Sequence, residues 1–198
     1  MKIAVFIKTF DPPPVNRREI LRYAGVGESA PEIEMLLDEC LQMAQDKLRF
    51  QVCWDVFPVS LDGERLNLGF ADIRSRSLAV NLQGCESIVL FAATVGVELD
   101  RLIARQARIS PVKAHMLQAI GSERIESLCD AFNEEITQAY GCTRPRFSPG
   151  YGDVPLAVQK DVFRTLQCSK HIGVTLNENL FMSPSKSVTA IIGIRRKA

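Results

Sequence analysis

The most informative part of the sequence is a loop of six residues, Arg146-Phe147-Ser148-Pro149-Gly150-Tyr151. Its proline fixes one backbone angle and the glycine after it can adopt a positive φ, so the loop has a defined shape. A loop of defined shape can direct the guanidinium of its arginine at a carboxylate in bidentate fashion. Loops of this composition also serve as tight connectors, with the arginine on the surface. The residues alone leave both interpretations open.

Helices and strands are predicted on both sides of this loop. Before it, a helical stretch covers residues 110–140, and we predict a break at Gly121 because glycine is a poor helix former. After it, Asp153 is placed to cap a helix that ends near Gln167. The β-branched run at residues 188–194 predicts a final strand.

The first half of the chain shows the same mixture. An apolar strand is predicted at residues 3–7, and capping signals predict helices that begin at Asn16 and at Ser29. The alternating residues 52–56 and the segment after the Asp62-Gly63 turn predict an antiparallel pair. Because helices and strands interleave irregularly, the predicted class is α+β rather than a doubly wound parallel sheet.

Composition excludes several classes of function. The 198 residues carry 24 basic and 23 acidic side chains, and a net charge of +1 gives no field that would attract nucleic acid. No apolar run approaches the roughly 18–20 residues that span a bilayer, so we expect no membrane segment and a cytoplasmic location. The six cysteines form no CxxC pair and the two histidines lie far apart, so no metal site is expected. Glycine-rich nucleotide loops and a GxSxG motif are also absent.

The loop and the sequence after it resemble the activation domain of cobalamin-dependent methionine synthase, which binds S-adenosylmethionine. Arg146 lies five residues before Tyr151, as in that family's Arg-Pro-x-Pro-Gly-Tyr motif, and Pro155 matches its next proline. Three further stretches resemble the family in the same order: Gly121-Ser122-x-x-x-Glu126, Lys170-His171-x-Gly173, and residues 176–184 followed by Ser187-Val188. The resemblance is clear over about residues 115–192. It implies a largely antiparallel, twisted sheet with flanking helices in one unit, 1–198, with an N-terminal half, 1–109, and a ligand-binding half, 110–198.

The resemblance also implies roles for individual residues. Arg146 would bind the methionyl carboxylate, Glu126 would meet the amino group, and Tyr151 would face a corrinoid as the catalytic-site residue. The backbone of Phe147, Ser148, Pro149 and Gly150 would contact the adenosyl part. In this chain Pro145 precedes Arg146, so Arg144-Pro145 imitates the family dipeptide two residues early, and Arg144 is a competing anchor. The family's histidine after the tyrosine is Ala157 here.

The implied function is an accessory role in reductive methylation within a methionine synthase (methyltransferase) system. An inactive cob(II)alamin would be reduced by an external donor such as a flavodoxin and then methylated by S-adenosylmethionine. The sequence has no corrinoid-binding Asp-x-His-x-x-Gly motif, so the cobalamin would arrive on a partner, a methionine synthase subunit or a related corrinoid protein. Two alternatives stay open: a non-catalytic S-adenosylmethionine sensor or scaffold, and an activator of another corrinoid methyltransferase.

Overall fold

The structure is a computed structural model that describes residues 5–28 and 30–195. Within these ranges the strands are β1 (Phe6–Thr9), β2 (Gln51–Pro58), β3 (Ser60–Asp62), β4 (Arg65–Asn67), β5 (Asp72–Arg74), β6 (Cys85–Thr94), β7 (Thr175–Leu176), β8 (Met182–Ser183) and β9 (Ser187–Arg195). The helices are α1 (Arg17–Tyr23), α2 (Pro31–Ala44), α3 (Arg76–Asn81), α4 (Val97–Ile109), α5 (Pro111–Tyr140), α6 (Gln159–Leu166) and α7 (Cys168–Ile172). Short 3-10 turns follow α2 at Gln45–Lys47 and precede α6 at Leu156–Val158.

Four strands form the central sheet in the order β1-β2-β6-β9, and every neighbouring pair is antiparallel. The strands β3, β4 and β5 form a second antiparallel sheet, and β7 pairs with β8. An antiparallel sheet with flanking helices confirms the predicted α+β class. Strand β9, the last strand within the described residues, lies beside β6 at one edge of the central sheet.

The two faces of the central sheet are buried by different helices. On one face, Phe91 of β6 and Ala190 of β9 pack in a cluster with apolar side chains of α1, α2, α4 and α5. On the other face, Leu90 and Ile191 pack with α3, α6 and α7. Successive residues of a strand point to opposite faces, so β6 and β9 contribute to both clusters. Strands covered on both faces read as continuous apolar runs, which is the pattern of residues 88–93 and 188–194.

Helix α5 is 30 residues long and runs through Gly121 without interruption, so the predicted break there is wrong. A Cβ atom at this position would lie 2.7 Å from Cδ2 of Leu99 in α4 and 2.9 Å from Cγ of Lys186. The glycine thus allows close packing of α5 against its neighbours. Its low helix propensity is offset by tertiary packing, which commonly overrides local preference.

The N-terminal predictions are confirmed in part. The first strand begins at Phe6, and the predicted residues 3 and 4 lie outside the described ranges. Asn16 caps α1, because its side chain accepts a hydrogen bond of 3.2 Å from the backbone N–H of Glu19. The backbone N–H of Asn16 donates to the distant Glu123, so Glu19 does not complete a reciprocal capping box. The predicted cap at Ser29 also lies outside the described residues.

The predicted antiparallel pairing of residues 52–56 with the segment after the Asp62-Gly63 turn is wrong. This turn joins β3 to β4, whereas β2 pairs with β1 and β6. Strand β2 has already ended at Pro58, and proline has no N–H with which to continue a ladder. The alternating residues before the turn therefore belong to the central sheet and those after it to the smaller one.

Candidate functional site

The loop that follows α5 closes in a tight turn at residues 148–151. The backbone N–H of Tyr151 donates to the carbonyl of Ser148 at 3.1 Å, and Gly150 has a φ of 87°. Proline at the second position and glycine with positive φ at the third are the signature of a type II turn. A Cβ at Gly150 would also lie 3.0 Å from Leu156, so both conformation and space favour glycine there.

The segment before this turn is bound to the outer edge of β9. Phe147 and Ile191 exchange two backbone hydrogen bonds of 2.9 Å, and the N–H of Arg144 donates to the carbonyl of Gly193 at 2.8 Å. The ring of Phe147 is buried and meets the ring of Tyr151 edge-on at a centroid distance of 5.2 Å. The loop is thus held by the sheet, which gives its side chains fixed positions.

Helix α3 holds the loop from the other side. Asp153 accepts hydrogen bonds from the hydroxyl of Ser75 at 2.5 Å and from the backbone N–H groups of Arg76 at 2.7 Å and Ser77 at 3.1 Å. These bonds, that from Ser75 foremost, lower the pKa of the Asp153 carboxyl to about 2. Asp153 therefore caps the N-terminus of α3 together with Ser75, the N-cap residue, and the prediction that Asp153 caps the helix after it is wrong. At the other end of the loop, Asn81 donates to the carbonyl of Pro145 at 3.1 Å.

Arg146 extends from this fixed loop to α5. Its Nη2 lies 2.7 Å from a carboxylate oxygen of Glu126, and its Nη1 lies 2.6 Å from one of Asp130. The two acids are four residues apart, so they share one face of the helix. Burial lowers the pKa of the Arg146 guanidinium, but the hydrogen bonds to Asp130 and Glu126 outweigh it and the pKa is raised. The group is therefore a permanent cation beside two carboxylates.

A cavity of about 570 Å³ lies beside Arg146. Its walls come from the loop, α5, α3 and β9, and they consist of Asn81, Glu126, Pro145, Arg146, Phe147, Ser148, Tyr151 and Val188. The volume is within the range of about 300–1,000 Å³ typical of small-molecule sites. Tyr151 is 68% exposed and stands at the rim. The cavity combines a cation, an anion, an aromatic ring and a hydroxyl.

Five of the predicted site residues therefore lie on one cavity: Glu126, Arg146, Phe147, Ser148 and Tyr151. Pro149 and Gly150 shape the turn and do not line the cavity. Sequence reasoning missed Asn81, Val188 and Asp130. The spacing of Glu126 and Asp130 on one helix face could have indicated the last of these, whereas no local signal marks Asn81.

Arg144, the competing anchor, lies away from this cavity. Its side chain packs over Gly193, where a Cβ would be 3.2 Å from Cγ of Arg144, and its Nη2 donates to the carbonyl of Gln83 at 2.9 Å. Arg144 thus ties the loop to the end of α3, and among the described residues Arg146 is the arginine that lines the cavity.

A larger cavity, of about 940 Å³, lies along α1. Two of its three arginines are bound to neighbouring acids: Arg17 contacts Glu34 and Asp38, and Arg22 contacts Glu19. These pairs are largely exposed, and exposed pairs contribute little energy. The cavity lacks the aromatic wall and the fixed backbone of the loop site, so we regard the loop site as the better candidate.

Residues 5–28 and 30–195 contain neither a group of potential metal ligands nor a membrane-spanning helix. No three histidine, cysteine or acidic side chains are grouped as metal ligands would be. Among the same residues, no helix combines the length and apolar character needed to cross a membrane.

The fold of this α+β domain has a counterpart among solved structures. The fold matches the crystal structure of the MetH reactivation domain bound to AdoHcy with a TM-score of 0.68, over 99% of this chain and 80% of that one. The two sequences are 16% identical, so the match shows a shared fold. No curated protein sequence matches the chain.

The C-terminal part of the chain matches a family model. Residues 121–198 match the family described as vitamin B12 dependent methionine synthase, activation domain. This segment contains the last two thirds of α5, the loop, and β9, which supply most of the cavity wall. The predicted resemblance to the activation domain is confirmed.

Proposed function

We propose that the chain binds S-adenosylmethionine in the cavity beside Arg146 and acts as an accessory protein in the reductive methylation of a corrinoid protein. One observation carries the proposal most directly. The loop that bears Arg146 is hydrogen-bonded to β9, and Arg146 contacts Glu126 of α5, within the segment that matches the activation-domain family.

The residues of the cavity fit this ligand. A methionyl group carries a carboxylate and an ammonium, and the cavity offers a guanidinium and a carboxylate 2.7 Å apart. Arg146 would bind the ligand carboxylate through charged hydrogen bonds, and Glu126 would bind the ammonium. The hydroxyl of Ser148 and the half-buried side chain of Asn81 also line the cavity, where they would form hydrogen bonds with the adenosyl part. AdoHcy, the ligand of the MetH structure, has the same amino-acid and adenosyl groups.

Positioning is the contribution that this chain would make to the reaction. S-adenosylmethionine supplies an activated methyl group and a partner's reduced cobalamin supplies the nucleophile. Arg146 and Glu126 would fix one end of the ligand, so that its methyl group is held in one orientation. Tyr151 stands exposed at the rim, where it would face the incoming corrinoid. No acid or base from the protein is needed, because breaking the S–CH3 bond of the sulfonium releases a neutral thioether without proton transfer.

The proposed partners are a corrinoid-bearing methionine synthase subunit, or a related corrinoid protein, and an external reductant such as a flavodoxin. We also propose that the protein works in the cytoplasm as one unit. The described cysteines are all free, and Cys142 is exposed, which suits a reducing compartment.

Calorimetric titration of the purified protein with S-adenosylmethionine tests the proposal. Saturable binding is expected, with or without a corrinoid protein present. Failure to bind at millimolar ligand in both conditions would contradict it. Adenosine serves as the control, since it lacks the methionyl group that Arg146 and Glu126 would hold.

A second measurement separates the accessory role from the alternatives. If the chain is an activator, then S-adenosylmethionine carrying a labelled methyl group should transfer the label to the corrinoid protein under reducing conditions. Binding without label transfer to any co-purified corrinoid protein would favour the sensor or scaffold. Transfer to a corrinoid protein that makes no methionine would favour the activator of another methyltransferase.

A further inference from the structure

Both terminal nitrogens of Arg146 are already bound to carboxylates. Nη2 contacts Glu126 at 2.7 Å, and Nη1 contacts Asp130 at 2.6 Å. A guanidinium has five N–H donors, and each of the two acids occupies one of them on a terminal nitrogen. A ligand carboxylate that binds across Nη1 and Nη2 in parallel fashion therefore competes with these acids for the same edge of the guanidinium.

The two acids differ in how they are placed. Glu126 lines the cavity, and its side chain is 44% exposed. Asp130 does not line the cavity, and its side chain is 71% exposed. A carboxylate with that exposure regains its hydration when it is released, and exposed ion pairs are worth only about 0–1 kcal/mol. Asp130 is therefore the acid that is released at lower cost.

Arg146 itself needs a permanent partner. Its side chain is 25% exposed and lies near the fully buried Cys129. A mostly buried guanidinium without a counter-charge is costly, so one carboxylate has to remain with it at all times. Two acids around one cation allow one to leave while the other stays.

We propose that Asp130 holds the Nη1 side of Arg146 in place of the ligand's carboxylate, so that ligand binding exchanges one carboxylate for another. The inference rests on the proposed function, since it takes the ligand to be an α-amino acid derivative. Asp130 is then a positioning residue: it keeps the guanidinium oriented toward the cavity and competes with the ligand for it. Glu126 stays on Nη2 throughout and remains available to the ammonium.

The test is the affinity of the Asp130→Asn variant for S-adenosylhomocysteine. This ligand has no net charge, because the charges of its carboxylate and its ammonium cancel. Asparagine removes the competing charge at nearly constant size, so the affinity should rise about two- to five-fold, which corresponds to the loss of one exposed ion pair. Asp161→Asn is the matched control, because it also removes an aspartate bound to an arginine at 2.6 Å, on α6 and away from the cavity. The control should bind as the wild type does.

A second ligand separates competition from a general structural effect. 5′-Methylthioadenosine has the same adenosyl thioether but no carboxylate, so its affinity should not change in Asp130→Asn. An unchanged or weaker affinity for S-adenosylhomocysteine would overturn the exchange, as would an equal gain for both ligands. Binding by the variant alone would support the exchange in its strongest form. If neither protein binds, the proposed function fails, and the exchange fails with it.

Discussion

The guanidinium of Arg146 lies between two carboxylates of α5 and the wall of the cavity. Replacing Arg146 with alanine should weaken S-adenosylmethionine binding by about 1.5–3 kcal/mol, the range for hydrogen bonds to charged groups. Calorimetric titration of both proteins measures the difference. Arg164→Ala is the control, because Arg164 is an exposed arginine paired with an aspartate outside the cavity.

An unchanged affinity in Arg146→Ala would remove Arg146 from the site and return attention to Arg144. The contacts of Arg144 oppose that outcome, since its side chain is packed over Gly193 and bonded to the carbonyl of Gln83. Its replacement should loosen the loop rather than delete a ligand contact.

Sequence reasoning at this scale identified side chains that belong to a motif and missed those that do not. Arg146 and Tyr151 could be predicted because their spacing in the loop is local and resembles a family pattern. Asn81 could not, because its bond to Pro145 joins residues 64 positions apart and depends on how α3 packs against the loop. Contacts of this kind follow from the tertiary fold.

At the scale of elements, the close packing of α5 against α4 depends on Gly121. Alanine there would gain about 1 kcal/mol of helix propensity. Its Cβ would lie 2.7 Å from the fully buried Leu99, however, and overpacking of a core costs about 1–3 kcal/mol. We expect Gly121→Ala to lower the free energy of unfolding, as measured by urea denaturation.

Gly27→Ala is the matched control, because no atom lies within 4 Å of a Cβ built at Gly27. Its stability should be unchanged or slightly higher. A stabilised Gly121→Ala protein would contradict the packing account and would indicate that α5 gains more from helix propensity than it loses in contacts.

The elements show the same division between local and distant signals. The cap of α1 by Asn16 was predictable because donor and acceptor lie three residues apart. The cap of α3 by Asp153 was assigned to the wrong helix because the two partners are 76 to 78 residues apart in the chain. The bounds of the helical stretch at residues 110–140 were likewise predictable, but its continuity through Gly121 was not, because the sequence could not show what Gly121 packs against.

At the scale of the whole molecule, a buried ion pair joins the N-terminal segment to α5. Glu123 and Arg124 are each 2% exposed and contact each other at 2.6 Å. Arg124 also donates to the carbonyls of Pro13 and Pro14, and Glu123 accepts from the backbone N–H of Asn16. The same helix carries Glu126 one turn later, so this anchor and the candidate site share one rigid element.

Replacing Glu123 with alanine should lower the free energy of unfolding by about 3–5 kcal/mol, because it leaves Arg124 buried without a counter-charge. Urea denaturation measures the effect. Glu134→Ala is the control, since Glu134 is exposed on the same helix, and its cost should stay within about 0.5 kcal/mol. Equal stabilities for the two variants would show that the buried pair is not the anchor.

Binding of S-adenosylmethionine at the 146–151 loop is tested most directly by nuclear magnetic resonance of the ¹⁵N-labelled protein during titration. The amide signals of Phe147, Ser148, Gly150, Tyr151 and Val188 should shift saturably, while those of the β3–β4 hairpin stay in place. Shifts that cluster along α1, or no shifts at millimolar ligand, would contradict the assignment of the site.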